Sequence, residues 1–166
     1  MARLHTDIVP ILDLTIVRLV GRGVVVDDAR IVVTATDEVP VFSADREILL
    51  WPQDEQSDED TANSAGFSDT RSDSRLFVVA RTRFEMDQAG SDKRRLMEQS
   101  IGHYAFRAAI RKALHLFWPT VVKTKELLGV APMRWTRTQA PKKDRTNKDW
   151  LSSILEFRIA YQVDFS

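Results

Sequence analysis

The chain has 166 residues, of which 43% are hydrophobic, so one domain with a substantial core is expected and a wholly disordered chain is excluded. It has no cysteine, which rules out disulfides, thiol nucleophiles and cysteine-based metal sites and fits a reducing cytosol. Basic and acidic residues both number 24, so the zero net charge gives no bulk attraction to polyanions.

In chain order, residues 7–20 are predicted as a helix. Asp7 is its cap, Pro10 lies in the first turn, and Ile8, Leu12, Ile16 and Leu19 follow helical spacing to a stop at Gly21. Asp7 and Asp13 interrupt this apolar stretch, which argues against a secretory signal. No apolar run reaches the roughly 18 residues of a membrane span, so no membrane partner is expected. Strands are predicted at 24–26, 31–36 and 47–51, the last ending at Pro52.

Residues 53–74 carry seven acids against Arg71 alone, and Phe67 is their only large apolar side chain. Such a stretch cannot offset its ordering entropy by burial, and it is expected to be a long mobile acidic insert. It reads either as a solvated loop or as an arm that contacts a partner. A strand follows over 76–86, with Leu76, Val78, Ala80, Thr82, Phe84 and Met86 inward and Arg81, Arg83 and Glu85 outward.

A long helix is predicted from Ser91 or Asp92 to Trp118, stopped by Pro119. Met97, Ile101, Tyr104 and Ala108 form one apolar face. Phe106, Ile110, Leu114 and Phe117 form a second, expected to meet something outside the sheet. A short helix over 121–128 follows. Residues 134–148 then form a basic loop with Arg134, Arg137, Lys142, Lys143, Arg145 and Lys148 against Asp144. This loop is open to three readings: a solvated connection, a nucleic-acid contact, or a contact with an acidic surface of another subunit. The clearest pattern is last. Over 155–165, Leu155, Phe157, Ile159, Tyr161, Val163 and Phe165 alternate with Glu156, Arg158, Ala160, Gln162 and Asp164, as a strand with one dry face requires. The sum is a single α+β domain spanning 1–166: a mainly antiparallel sheet with helices packed on one face.

Chemistry is sparse. His5, His103 and His115 form no metal pair, and His103, Arg107, Arg111 and His115 make an i+4 row that reads as a solvated or interface-facing stripe. Gly21-Arg22-Gly23 precedes a valine run and matches neither a dinucleotide fingerprint nor a phosphate loop, and no G-x-S-x-G elbow occurs. The acids around Asp58 and Asp60 lack the glycine and terminal Glu of a calcium loop. Trp51, Trp118, Trp135 and Trp150 either close the core at strand ends or, beside Arg134, Arg137 and Lys148, stack bases. No catalytic, cofactor or metal residue is predicted.

Two stretches carry a family resemblance. LHTDIVPILDLTIVRLV resembles the leading amphipathic helix of the tail terminator proteins of long-tailed bacteriophages, and DWLSSILEFRIAYQVDF resembles their ending, a polar basic loop entering a long terminal strand. LFVVARTRFEMD and the helix after it match the family's strand-then-helix order. The acidic insert and the extra strands after Gly21 depart from it. The resemblance implies a non-enzymatic virion protein of the tail or neck, assembled in the host cytoplasm and without cofactor. It implies a homo-oligomeric ring, hexameric, that ends tail-tube growth, contacts the tail tube protein and the head–tail connector, and lets DNA pass. The opposite charges at 53–74 and 134–148 suit head-to-tail contact between identical subunits, with Phe106, Ile110 and Phe117 as its apolar part. A neck or tail-completion subunit is the nearest alternative. A small nucleic-acid-binding module using the 134–148 loop with Arg81 and Arg83 is the alternative from another class.

Overall fold

The computed structural model describes residues 8–35, 46–57, 69–83, 96–97, 102–119, 130–143 and 150–164. Two helices, α1 (Ile8–Gly21) and α2 (His103–Leu114), and seven strands are described: β1 (Ile31–Val33), β2 (Arg46–Pro52), β3 (Gln56–Ser57), β4 (Asp69–Arg83), β5 (Arg134–Thr138), β6 (Lys142–Lys143) and β7 (Trp150–Asp164). The sheet runs β1-β2-β4-β7-β5, with β3 added to β4 and β6 to β7. Among the described strands only the β1–β2 pair is parallel. This is the expected α+β architecture.

The spine is the antiparallel ribbon of β4 and β7, paired over 15 residues of each. Its register puts Leu76 opposite Phe157 and Val78 opposite Leu155, and β2 continues the same face with Ile48 and Leu50. These side chains are buried together with Ile11, Leu12 and Leu19 of α1 and with Phe106, Ile110, Ala113 and Leu114 of α2. Both helices therefore cover one face of the sheet.

Several expected boundaries move. The helix stop near the first glycines is Gly23, not Gly21. Gly23 takes φ +68 while its N–H donates to the Val20 carbonyl and that of Val24 to Leu19, a Schellman closure in which Val24 joins Leu19 in the core. The valine run is consequently a bend and not a strand, though Val24 and Val25 are buried. The helix expected over 92–118 is not continuous, because Gly102 has extended backbone (ψ 157) and caps α2 from outside. α2 also ends at Leu114, before Trp118. There Leu116 adopts φ 61 and donates its N–H to the Met133 carbonyl, and Met133 donates back to Phe117, so the chain leaves the helix to pair with the segment entering β5.

The acidic and basic segments also contribute structure. β3 forms a ladder with β4 (Gln56 opposite Asp73), and 69–74 are the opening of β4. Arg134–Thr138 and Lys142–Lys143 are strands against β7, where a loop was expected. The run at 58–68, the short helix expected over 121–128, Asp7, Asp92, Phe84, Met86 and Phe165 lie outside the described residues.

Arg81 corrects the expected outward face of β4. It is 4% exposed, directly opposite Glu47 of β2 and ion-paired with it at 3.4 Å, with its guanidinium 4.9 Å from the Trp150 ring. Leu49, Val79 and Trp150 are buried on this same second face. Both faces of the middle of the sheet are thus covered, and Arg81 is removed from any nucleic-acid surface.

Candidate subunit interface

The most chemically suggestive cluster is internal. Gly102 directs the first residue of α2, His103, down onto the ribbon between Thr82 of β4 and Ser153 of β7. Nδ1 lies 2.8 Å from the Thr82 hydroxyl and Nε2 lies 2.7 Å from the Ser153 hydroxyl. Arg107 reaches Ser153 at 3.5 Å and the Gln139 carbonyl at 3.3 Å. A Ser–His contact of this length is the geometry of a nucleophile and its base, but His103 is 0% and Ser153 1% exposed, so no substrate reaches them. The arrangement is a clasp joining the helix to both central strands. It also corrects the expected solvated stripe: of its four members only Arg111 and His115 are exposed.

Burial, with the nearby Arg107, pushes the His103 pKa down to about 4. The folded protein therefore stays neutral at this site, whereas the unfolded chain takes up a proton near pH 6.5. Stability from this group is present above pH 6.5 and is lost as pH falls towards 4. Between pH 7 and 5 the loss is expected to be about 2 kcal/mol. Urea unfolding at both pH values, compared with His103→Asn, measures it; an equal pH dependence in the two proteins contradicts the clasp.

Away from the clasp, the outer face of the ribbon carries arginine. The register aligns Arg75 of β4, Arg158 of β7 and Arg134 of β5 side by side across three strands. Arg137 would point to the opposite face from Arg134 in a regular strand. A bulge between Trp135 and Arg137 shifts the register, so Arg137 lies opposite Glu156 and joins the same face. Asp73 takes Arg158 bidentately at 2.6 and 2.8 Å, and the nearly buried Glu156 takes Arg137 at 3.1 Å and Arg75 at 3.9 Å. Arg75 and Arg137 remain 65% and 64% exposed, so these pairs orient the guanidinium groups and add at most about 1 kcal/mol each. Four arginines against two carboxylates leave this face basic.

The topology separates charge laterally. Arg134, Arg137, Lys142 and Lys143, all exposed, sit on β5 and β6, the strands flanking β7. Asp54 and Glu55, also exposed, sit between β2 and β3, the strands flanking β4. Ser74 holds that turn by donating its hydroxyl to the Asp54 carbonyl at 3.0 Å.

Of the sequence-derived interface residues, Arg134, Arg137, Lys142 and Lys143 come together on the β7 side, while Arg145 and Lys148 lie outside the described residues. Phe106 and Ile110 are corrected. They are 2% and 0% exposed in the subunit's own core, because α2 is a single amphipathic helix whose one apolar face is spent on the sheet. Phe117 packs half-buried on the same core beneath the Arg18 guanidinium. The surplus apolar surface lies elsewhere: Val9 and Val17 on α1, and Leu116 and Trp118 after α2, are 56–66% exposed. Helix α1 has apolar residues nearly all round, and that was the legible sign of a second exposed face. Three tryptophans make contacts within the subunit, Trp51 and Trp135 half-buried and Trp150 buried. Trp51 meets Phe77 edge-on, Trp135 donates to Thr138 and lies against Arg111, and Trp150 is buried by Arg81.

Among the described residues, no group of three His, Asp or Glu side chains is placed to hold a metal ion, and no helix is long and apolar enough to cross a membrane. No family model matches the chain, and no curated protein does. Among solved structures, it is similar to a chain in the virion of a native gene transfer agent particle. The two are 14% identical, the match covers 87% of this chain and 84% of that one, and the TM-score is 0.50. At this identity the likeness is one of fold, and it extends over most of both chains.

Proposed function

We infer that the protein is a structural subunit of a phage-like particle and acts as a ring-forming tail terminator, ending tail-tube growth and joining the tail to the head connector. The observation that carries this reading is the lateral charge separation, basic strands beside β7 and acidic residues beside β4, on a chain of zero net charge. Identical subunits with complementary flanks associate head to tail and close into a ring when the rotation per subunit closes. The virion origin of the fold neighbour and the resemblance of both chain ends to tail terminators support the same reading. In it the ring is a hexamer in the tail or neck of the virion, assembled in the host cytoplasm. It contacts tail tube and connector proteins, passes DNA, and has neither catalysis nor cofactor. A neck or tail-completion subunit would use the same flanks. Light scattering and negative-stain microscopy of the purified chain, alone and with tail-tube protein, test the reading. Rings or capped tubes are expected; a chain that stays monomeric with tube ends present contradicts it.

The arginine row favours one other reading, a nucleic-acid-binding module, since a row of guanidinium groups across a sheet suits a phosphate backbone. A steep loss of DNA affinity with salt, with no self-association, would favour it.

A further inference from the structure

We propose that the basic flank formed by Arg134, Arg137 and Lys142, with the arginine row beside it, is the seat for the acidic stretch beginning at Asp54 of a second copy of this chain. The proposal rests on the self-assembling reading above and names its contact. Among the described residues, Asp54, Glu55, Arg134 and Lys142 make no ion pair, although all are exposed. Residues 54–60 (DEQSDED) hold five acids, so each copy offers a dense anionic segment and a cationic edge strung along β7 from opposite Arg158 to opposite Ser152.

The fold keeps the two apart within one subunit. β3 anchors the acidic stretch to β4 on the side away from β7, with Gln56 opposite Asp73 and Ser57 opposite Ser72. From β3 the sheet must be crossed through β4 and β7 to reach β5, about 14 Å at the usual strand spacing. The residue nearest the stem on the outer face is Asp73, an acid already committed to Arg158. The acidic stem thus starts beside a carboxylate, and the unpaired Arg134 lies at the far edge. A neighbour approaching that edge brings its stretch directly against Arg134, Arg137 and Lys142.

Chemistry also favours a second copy over DNA as the occupant. Asp73 and Glu156 stand within the arginine row and oppose phosphates and carboxylates alike, so the choice of occupant falls to the charge of the partner as a whole. A copy of this chain has zero net charge, so adding subunits accumulates no charge, and each one supplies the complement that the next requires.

A charge swap on the full-length chain tests this. One variant carries Arg134→Glu, Lys142→Glu and Lys143→Glu; the other carries Asp54→Lys, Glu55→Lys, Asp58→Lys and Glu59→Lys. Circular dichroism first confirms that both fold. Sedimentation velocity at low and at high salt should show self-association of the wild type that weakens with salt. Each variant alone should associate at least about tenfold more weakly, because like charges then face each other. An equimolar mixture should associate again, since each reversed surface meets a reversed partner. If the wild type assembles and both variants assemble equally well, or if the mixture is not rescued, the contact is wrong while the self-assembling reading stands. If the wild type is monomeric at every salt concentration, that reading fails as well. Wild-type binding of duplex DNA that is lost in the first variant, with assembly unchanged, assigns the face to nucleic acid and overturns the proposal.

Discussion

Phe157→Ala is expected to lower the unfolding free energy by about 3–5 kcal/mol, the cost of deleting a fully buried aromatic ring whose site cannot collapse. Phe157 is 0% exposed in the middle of β7, opposite Leu76 of β4 on one side and Trp135 of β5 on the other. The α2 residues Phe106 and Ile110 belong to the same cluster. Three strands and a helix surround this position, and two of those strands are tied into ladders that resist inward movement. Urea denaturation read by fluorescence and circular dichroism measures the change as a shift in midpoint at constant slope. A loss below about 0.5 kcal/mol, the scale of surface substitutions, would put Phe157 on the wrong face of the sheet.

Breaking the Glu47–Arg81 pair from one side should be as costly. With Glu47→Ala, the Arg81 guanidinium, 4% exposed, is left in a site lined by Trp150 and backed by Leu49 and Val79, without the carboxylate opposite. Removing one partner of a sealed ion pair typically costs about 3–5 kcal/mol, mostly desolvation of the charge left behind. The double variant Glu47→Leu/Arg81→Met should recover most of that loss, because apolar groups of similar volume carry no such penalty. Thermal and urea unfolding of the two proteins separates these cases. A single variant within about 1 kcal/mol of the wild type would mean that water reaches the pair and screens it.

These two sites lie on opposite faces of the same ribbon, and that bears on assembly. Its helix-covered face holds the single large core, and the middle of the other face is closed around Arg81 and Trp150. Among the described residues, surface open to partners includes the arginine row, the two lateral flanks, the outer side of α1 with Val9 and Val17, and Leu116 and Trp118 after α2. The flanks differ in charge, so under the proposed self-assembly a contact between copies would pair unlike surfaces and could close into a ring.

Local pattern was enough for the elements whose surroundings are uniform. The alternation from Leu155 to Tyr161 appears as β7 with those four side chains buried, because a period of two and a single dry face leave one register open. The α+β class was legible for the same reason, whereas in α1 only Leu12 and Leu19 of the expected core positions are buried: Ile11 and Thr15 take the other two places, and Ile8 and Ile16 are only partly covered. Legibility stopped wherever a side chain's fate depends on segments far away in sequence. Alternation placed Arg81 and Glu156 in solvent, yet Glu47 and Trp150 enclose the first, and Arg75 and Arg137 gather over the second. The unbroken apolar runs Leu49-Leu50-Trp51 and Val78-Val79-Ala80 were the available sign that both faces are covered. His103 looked like one member of a polar stripe, and only the placement of α2 across β4 and β7 made it a clasp. Similarly, Arg134 and Arg137 were legible as basic, but a bulge decided that they share a face. Periodicity reports which side of an element is dry. Which neighbours a side chain meets, and whether charges on distant segments lie together or apart, is set by strand order and register, which depend on the packing of the whole chain.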